Sequence, residues 1–252
     1  MDLTERKGSV AQRHPWEVAR AEFLLRLLAR SGVLQADGIW LDVGSGDAWF
    51  GRQLRRLLPP EAELTCWDIN YTPEDLAVGD ESENEGISLV AERPDVRFDR
   101  LLMLDVIEHV EDDAAFVRST VRDLLTDGGI ALISVPAYQA LFSSHDRMLR
   151  HYRRYSPAGC RRLLESSGLI VLAEGGLFHS LLPARGAQVI LDRVRPMKSL
   201  SAGIGDWQGG KIATRVLTRG LIIEGKLSLA LGLRGHTLPG LSYWALCRFG
   251  GE

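Results

Sequence analysis

The chain has 252 residues, a length that fits one large α/β domain or two small ones. Its hydrophobic content of 45%, charged content of 25% and net charge of -3 are those of an ordinary globular protein, without the global positive charge that nucleic acid binding favours. The polar start resembles no secretory signal, and Glu224 and Lys226 interrupt the most apolar late stretch, so we expect a cytoplasmic protein without a membrane span.

The first part of the chain predicts two strands, each preceded by a helix. Apolar residues recur at helical spacing over residues 14–32, and Gly32 ends this run. The buried strand "GIWLDVG" follows, and then the helix "WFGRQLRRLLPP", closed by two prolines. "ELTCWDIN" is a second strand that ends in an acid.

The middle of the chain continues the alternation of strands and helices. The acidic stretch 71–99 contains a weak strand at "GISLVAE". "FDRLLMLDVIEHV" predicts a strand that runs into a loop or short helix. "DDAAFVRSTVRDLLTDGG" predicts an amphipathic helix with a glycine stop, and "IALISVPAY" a buried strand.

The last part contains a charged segment and a helical insertion. The charged segment, residues 143–156, precedes a helix that Ser156 caps and Pro157 begins. A strand over 169–178, an insertion over 180–237 and a final strand complete the chain. We therefore expect a single domain, whose parts are an N-terminal helical cap (1–36), a cofactor-binding core (39–178), a helical insertion or lid (180–237) and the final strand (240–250).

This alternation predicts a Rossmann-like α/β fold. Right-handed crossovers give a seven-stranded, mostly parallel sheet with helices on both faces and a helical insertion before the last strand. Ligands of such sheets lie at the carboxyl ends of the strands. That rule predicts one crevice lined by residues 44–49, Asp68, 105–109 and 136–138.

The stretch "IWLDVGSGDAWFG" places two glycines at a turn after the first strand. Gly44 and Gly46 let backbone approach a ligand, and the following helix directs free N–H groups at it. A carboxylate about 20 positions later, here Asp68, can accept both hydroxyls of a ribose, so an adenosine ligand is indicated. Trp49 stands where a dinucleotide fingerprint has its third glycine, which argues against a nicotinamide-dependent reductase.

Four ordered motifs resemble those of class I S-adenosylmethionine-dependent methyltransferases. "LDVGSGDA" is similar to their first motif, with Ala48 at its last glycine, and "CWDIN" to their ribose-binding strand end. "LMLDVIEHVED" and "LTDGGIALISVPAY" resemble the motif after their fourth strand and their fifth strand. The resemblance covers His14 to Arg248 and is strongest for the subgroup related to small-molecule and ubiquinone-type methyltransferases.

The resemblance implies S-adenosylmethionine as cofactor and S-adenosylhomocysteine as product. Asp42 and the glycine loop would hold the methionine portion, Asp68 the ribose, and residues after the fourth strand the adenosine or methionine end. Ala48 in place of glycine is a small change if its φ is negative. The implied cofactor-binding residues are Asp42, Gly44, Ser45, Gly46, Asp47, Trp49, Asp68, Ile69, Asn70, Leu104, Asp105, Val106 and His109.

The stretch "DVIEHV" raises the question of a metal. Asp105, Glu108 and His109 have a spacing that could converge on one cation, and related methyltransferases with this pattern include metal-assisted ones. The alternative is that Glu108 and His109 cap a short helix and shape the pocket floor. Because no second His-rich stretch clearly completes a site, we expect no metal, with His109 as a pocket residue.

The charged segment is either a solvated helix face or an acceptor-binding element. It follows the strand whose end lines the crevice, and a similar His-Asp…His-x-Arg-Arg-Tyr stretch occupies this place in the resembling subgroup, so we favour acceptor binding. Arginine forks suit a carboxylate or phosphate, and a histidine can take a proton near neutral pH. The candidate catalytic residues are therefore His145, His151, Tyr138, Arg153 and Arg154.

The expected function is methyl transfer to an O or N atom of a small anionic metabolite that bears a carboxylate or phosphate. The insertion would be a lid over this acceptor or a homodimer surface, with an amphipathic face against lipid as the less favoured alternative. No nucleic acid partner is expected. The rival from another class is a non-catalytic subunit that binds an adenosine ligand.

Overall fold

A computed structural model of the protein describes residues 13–35, 37–77, 86–194 and 209–251. Within these residues seven strands form one sheet. The strands are β1 (Ile39–Val43), β2 (Glu63–Trp67), β3 (Ile87–Val90), β4 (Phe98–Leu104), β5 (Leu125–Pro136), β6 (Leu169–Leu177) and β7 (Ser242–Phe249).

Eight α-helices lie in the described residues, and short 3-10 turns separate some of the elements. The helices are α1 (Pro15–Arg30), α2 (Trp49–Arg55), α3 (Pro73–Ala77), α4 (Asp113–Leu124), α5 (Ser144–Met148), α6 (Pro157–Ser166), α7 (Leu182–Val194) and α8 (Lys211–Gly232). The predicted start of α6 is confirmed, because Ser156 accepts a hydrogen bond from the Gly159 N–H at this point.

The strand order is β3-β2-β1-β4-β5-β7-β6. β7 runs antiparallel to both of its neighbours, and all other pairs are parallel. This confirms the expected Rossmann-like, mostly parallel sheet. The order places β1 and β4 side by side at the centre, where the direction of strand addition reverses and a crevice opens at the carboxyl ends.

Two hydrophobic cores cover the two faces of the sheet. Successive strand residues point to opposite faces, so Trp40 belongs to one core and Leu41 to the other. The first core packs the sheet against α1, α2 and α8, and the second packs it against α4 and α6. Both faces are therefore buried, as the near-continuous apolar strands required.

Two local predictions differ from the structure. α4 ends at Leu124 and β5 begins at the next residue, so the predicted glycine stop lies inside the strand. The register between β4 and β5 shifts between Phe98 and Arg100, and Gly128, with φ 75°, supplies the left-handed backbone of this irregularity. The acidic stretch also contains the short helix α3, which was not predicted.

The insertion forms α7 and α8, and its residues 195–208 lie outside the described chain. α8 packs on α1 at Gly225, where an added Cβ would lie 3.3 Å from Phe23 Cδ2. Its opposite face exposes Ile212, Val216 and Ile223. No helix in the described part of the chain is long and apolar enough to cross a membrane.

The close approach of α8 to α1 yields a matched pair of substitutions. Gly225→Val should lower the free energy of unfolding by about 1–3 kcal/mol, because the added methyl groups overpack the contact with Phe23. Gly220→Val, in the same helix with nothing within 4 Å of its Cβ position, should change it by less than about 0.5 kcal/mol. Urea unfolding of both variants measures this difference, and equal effects would contradict the contact.

Candidate functional site

Four parallel strands deliver the predicted crevice residues to one edge of the sheet. β1, β2, β4 and β5 are aligned in register, and their carboxyl ends are Val43, Trp67, Leu104 and Pro136. The residues that follow each strand therefore lie together. The structure thus brings the glycine loop, Asp68, the "DVIEHV" stretch and Tyr138 to the same edge, as the sequence predicted.

The glycine loop is tied to the end of β2 through its backbone. The Gly44 N–H donates to the Trp67 carbonyl at 2.7 Å, and the Gly46 N–H donates to Asp68 Oδ2 at 2.9 Å. Gly44 has φ 63°, and an added Cβ would lie 2.8 Å from Val106 Cγ2. Only glycine fits at position 44, because both the backbone angle and the packing against Val106 exclude a side chain.

Asp68 is buried and carries hydrogen bonds on both carboxylate oxygens. Its Oδ1 accepts from the Asn70 N–H at 2.9 Å and from Asn70 Nδ2 at 3.0 Å. Ile69, between them, is exposed. Ser45, in the loop, shares a hydrogen bond of 2.8 Å with the Tyr71 hydroxyl, a contact that no sequence pattern indicated. Asp68 therefore fixes the loop that surrounds it.

Left-handed backbone recurs where strands end at this edge. Ala48 has φ 54°, Asp105 58° and Tyr138 63°, and they follow β1, β4 and β5. A non-glycine residue that adopts left-handed backbone does so at a cost of about 1–2 kcal/mol. Such strain concentrates at functional sites. The φ of Ala48 is positive, so the change from glycine to alanine at this position is a strained one.

Asp42, in β1, is buried beneath the glycine loop. Burial raises its pKa to about 7, with a further rise from the charge of Asp68 and an opposing effect from Arg20. The Asp42 carboxyl therefore ionises near neutral pH, and a cationic group placed beside it would favour its charged form.

Two arginines from the N-terminal region reach this edge. Arg20 of α1 pairs with Asp105, whose Oδ1 also accepts from the Ser134 hydroxyl at 2.9 Å. Arg13 pairs with Asp47 and lies 4.7 Å above the ring of Trp49. Sequence reasoning missed both arginines, because helical spacing in α1 shows which face is apolar but not what its polar side chains meet.

A buried carboxylate, Asp146, organises the charged segment. Its oxygens accept from Arg154 Nε at 2.7 Å and from Arg185 Nη2, on α7, at 3.0 Å. His151 Nδ1 lies 3.3 Å from Oδ1, and the Ser143 N–H donates at 2.8 Å, which completes a capping box at the start of α5. Burial alone would raise the pKa of Asp146, but the hydrogen bonds and charges of His151 and Arg154 hold it well below its usual range.

The structure places Arg153 and His145, the other predicted catalytic side chains of the segment, in different surroundings. Arg153 pairs with Asp113 at 2.8 Å and donates to the Glu111 carbonyl at 2.5 Å. Burial, followed by the positive charge of Arg185, lowers the pKa of His145 to about 4. Sequence reasoning missed Arg185, which lies far along the chain in the insertion.

Backbone hydrogen bonds seat the charged segment on the end of β5 and on the stretch after β4. The Tyr138 N–H donates to the Tyr155 carbonyl at 2.8 Å, and the Tyr155 N–H donates to Pro136 at 2.9 Å. The Tyr152 N–H donates to the Glu108 carbonyl, also at 2.8 Å. These hydrogen bonds hold the segment against the strand ends that line the crevice. Because Asp146 and Tyr155 are buried, the segment is more than a solvated helix face.

Glu108, His109 and His151 each place one potential ligand atom within 4.8 Å of the others. Glu108 is fully buried, and burial raises its pKa to about 8. The rings of His109 and His151 meet edge to face, with centroids 4.5 Å apart. Their donor types are those of a metal site.

The sheet order, the antiparallel β7 and the glycine turn beside an acid after β2 define a class I S-adenosylmethionine-dependent methyltransferase fold. A family model described as a methyltransferase domain matches residues 13–175, more than half of the chain, and the chain belongs to this family.

Individual relatives agree with this class. A probable S-adenosylmethionine-dependent methyltransferase of Mycolicibacterium smegmatis is 35% identical over 88 residues, which are 34% of each chain, so the match spans about a third of that relative. A putative sarcosine dimethylglycine methyltransferase of Galdieria sulphuraria has a TM-score of 0.55 at 17% identity, over 92% of this chain and 84% of that one. A putative methyltransferase of Bacillus halodurans has a TM-score of 0.53 at 14% identity, over 90% and 99%. These two likenesses concern the fold alone.

The pKa of Asp42 predicts how stability depends on pH. Its folded value of about 7 exceeds the unperturbed 3.8, so the folded chain binds more protons between these values. The contribution of neutral Asp42 to the free energy of unfolding is fully present below pH 3.8 and is lost as the pH rises through about 7. Wild-type protein should therefore lose more stability than Asp42→Asn over this range, by roughly 1.4 kcal/mol per pKa unit at most.

Denaturant unfolding of the chain without cofactor, from pH 4 to pH 8, measures this difference. Asp95→Asn, at an exposed position, is the matched control and should follow the wild-type curve. Parallel curves for Asp42→Asn and wild type would contradict the raised pKa.

Proposed function

We propose that this protein transfers a methyl group from S-adenosylmethionine to an O or N atom of a small anionic metabolite. The observation that carries the proposal is the position of the arginine-rich charged segment, which is bonded to the end of β5 beside the glycine loop edge. Family membership supports the cofactor, and the segment supports an acceptor that carries negative charge.

The described residues fit the cofactor at the glycine loop. Gly44 and Gly46, both with positive φ, form the turn beside Asp68, and Asp68 Oδ2 retains a lone pair that can accept a ribose hydroxyl. Asp42, poised to ionise near pH 7, suits the cationic methionine portion. When bound, the cofactor supplies a methyl group already activated by its sulfonium.

The chain's own contribution to the reaction is alignment and exclusion of water. Holding an acceptor atom in line with the methyl group contributes on the order of 7–11 kcal/mol. A general base adds roughly 10²–10⁴-fold where the acceptor atom carries a proton. With a pKa of about 4, His145 is neutral at pH 7 but a weak base, which favours an acceptor such as a carboxylate that needs no proton removed.

Arginines of the charged segment offer charge to the acceptor. Arg147 and Arg150 are exposed, and within the described residues neither forms an ion pair. Arg154 keeps its Nη2 outside the contacts with Asp146 and Ala137, and it remains our candidate, with Arg153, for gripping a carboxylate or phosphate. Arg185 joins α7 to Asp146, which supports the insertion as a lid on the acceptor side.

A direct test measures formation of S-adenosylhomocysteine with a panel of small carboxylates and phosphate esters. Acceptor-dependent product supports the proposal. Tight cofactor binding without product from any acceptor class would favour the non-catalytic subunit, and NADPH binding in its place would favour the reductase.

Substitution of Asp68 tests the proposed contact with the ribose. Asp68→Ala should weaken S-adenosylmethionine binding by about 1.5–3 kcal/mol, the scale of hydrogen bonds to a charged group. Calorimetric titration measures the affinity, and thermal melting verifies that the variant folds. Asp95→Ala, an exposed aspartate, is the control and should bind like wild type. Unchanged affinity in Asp68→Ala would remove Asp68 from this role.

Substitutions in the charged segment test the proposed acceptor binding. Arg153→Gln and Arg154→Lys should raise the acceptor KM and leave cofactor affinity almost unchanged, because these arginines are proposed to bind the acceptor and not the cofactor. Lysine is chosen at 154 since it retains a charge beside the buried Asp146. His145→Ala or His151→Ala should lower kcat more than it raises KM if a histidine is the base.

Arg122→Gln, at an exposed position of α4, is the control for the arginine variants. A carboxylate acceptor would blunt the histidine effect and keep the arginine effect, so the two results together also report the chemistry of the acceptor. Unchanged steady-state constants in all four variants would place the acceptor elsewhere, most simply under the insertion.

A further inference from the structure

We propose that Glu108, His109 and His151 form a binding site for one divalent transition-metal ion. The sequence favours the opposite conclusion, because no second His-rich stretch clearly completes a site with "DVIEHV". The structure supplies a third ligand from the charged segment, since His151 lies beside the other two residues.

The backbone builds this cluster. Glu108 and His109 lie on a single 3-10 turn, Ile107–His109, directly after β4. The Tyr152 N–H donates to the Glu108 carbonyl at 2.8 Å, which fixes the residue next to His151 against this turn. Backbone hydrogen bonds therefore hold the three residues close together.

The Glu108 side chain is buried without a hydrogen-bond partner in the described part of the chain, and a bound cation would give its carboxylate a partner. It is 0% exposed, and neither carboxylate oxygen has a hydrogen-bond partner among the described residues. A buried polar group without a partner is costly, and a buried carboxylate most of all. Asp105 and Asp146 already have cationic partners, because Asp105 pairs with Arg20 and Asp146 with Arg154 and Arg185.

His151 has a carboxylate partner of the kind that metal-ligating histidines have. Its Nδ1 lies 3.3 Å from Asp146 Oδ1, which leaves Nε2 as the nitrogen available to an ion. A carboxylate behind a ligating histidine fixes the ring and raises its basicity. Asp146 would thus be a positioning residue, and its own arginine partners hold it in place.

The donor set selects the kind of ion. One carboxylate and two imidazoles suit zinc and its first-row neighbours, whereas magnesium and calcium prefer oxygen alone. Two ligand atoms that each lie about 2.0–2.2 Å from one ion are at most about 4.4 Å apart. The ligand atoms of the three residues now lie within 4.8 Å of one another, so small side-chain rotations would bring them to binding distance. Three protein ligands leave positions open.

The open positions suggest a role that rests on the proposed methyl transfer. The turn that carries Glu108 and His109 follows β4, at the edge where the acceptor is proposed to bind, and an ion there would hold an anionic acceptor oxygen without a strong base. Ion binding itself does not depend on that function, so it is tested without cofactor or acceptor.

The experiment titrates Zn²⁺ into the full chain after chelation and dialysis, with calorimetric detection. Wild type should bind one ion per chain, and Glu108→Gln and His151→Ala should each bind at least tenfold more weakly. Glu111→Gln, the same change at an exposed position three residues further, and His236→Ala, at an exposed histidine, should bind like wild type. The same Zn²⁺ concentration should raise the melting temperature of wild type more than that of Glu108→Gln, because stabilisation by a ligand falls as its affinity falls.

Thermal melting without metal verifies that each variant folds, and Glu108→Gln, which removes a buried acid while keeping its shape, should melt no lower than wild type. Absence of a 1:1 site in wild type would overturn the proposal. Equal Zn²⁺ affinity in wild type and Glu108→Gln would also overturn it and assign the ion to surface histidines. A metal site without methyl transfer would leave this inference standing and reject the proposed function, so the two failures are distinguishable.

Discussion

The buried carboxylate of Asp146 is the interaction on which the acceptor side of this protein depends. Two arginines and a histidine converge on a group that is fully buried. Removing one partner from such a cluster leaves charge in the interior, at a cost of about 3–5 kcal/mol. The charged segment is therefore locked to α7 and to the end of β5, although its composition is that of a solvated loop. The Asp146 carboxylate thus holds the charged segment in place beside the crevice.

The cofactor side depends on a different constraint, which is backbone geometry. Gly44 is excluded from carrying a side chain by Val106, and the Gly46 N–H is held by Asp68. Ala48, Asp105 and Tyr138 accept left-handed backbone at the ends of three strands. Strain of this kind persists because the sheet and both cores over-determine the strand ends. The two sides meet at the stretch after β4, where Val106 packs against Gly44 and the Glu108 carbonyl accepts from the Tyr152 N–H.

Much of the fold could be predicted from the sequence. Each of the seven strands follows from an apolar run, and Ser156 with Pro157 marks a helix start. The glycine loop and Asp68 could also be placed, since parallel strands in sequence order bring their carboxyl ends to one edge. The glycine stop after α4 could not, because whether Gly128 ends a helix or bends a strand depends on the neighbouring strand β4. The sign of φ at Ala48 was equally out of reach.

What the sequence by itself determined is local: the strands and helices, the turn at Gly44 and Gly46, and the acid after the second strand. Periodicity and turn chemistry act over a few residues, so they can be read along the chain. Only the tertiary structure decided that Arg185 meets Asp146 and that His151 meets Glu108 and His109. Such contacts join residues distant in sequence, and no spacing rule encodes them, because they arise from how elements pack. The question of a metal therefore could not be answered from "DVIEHV" alone.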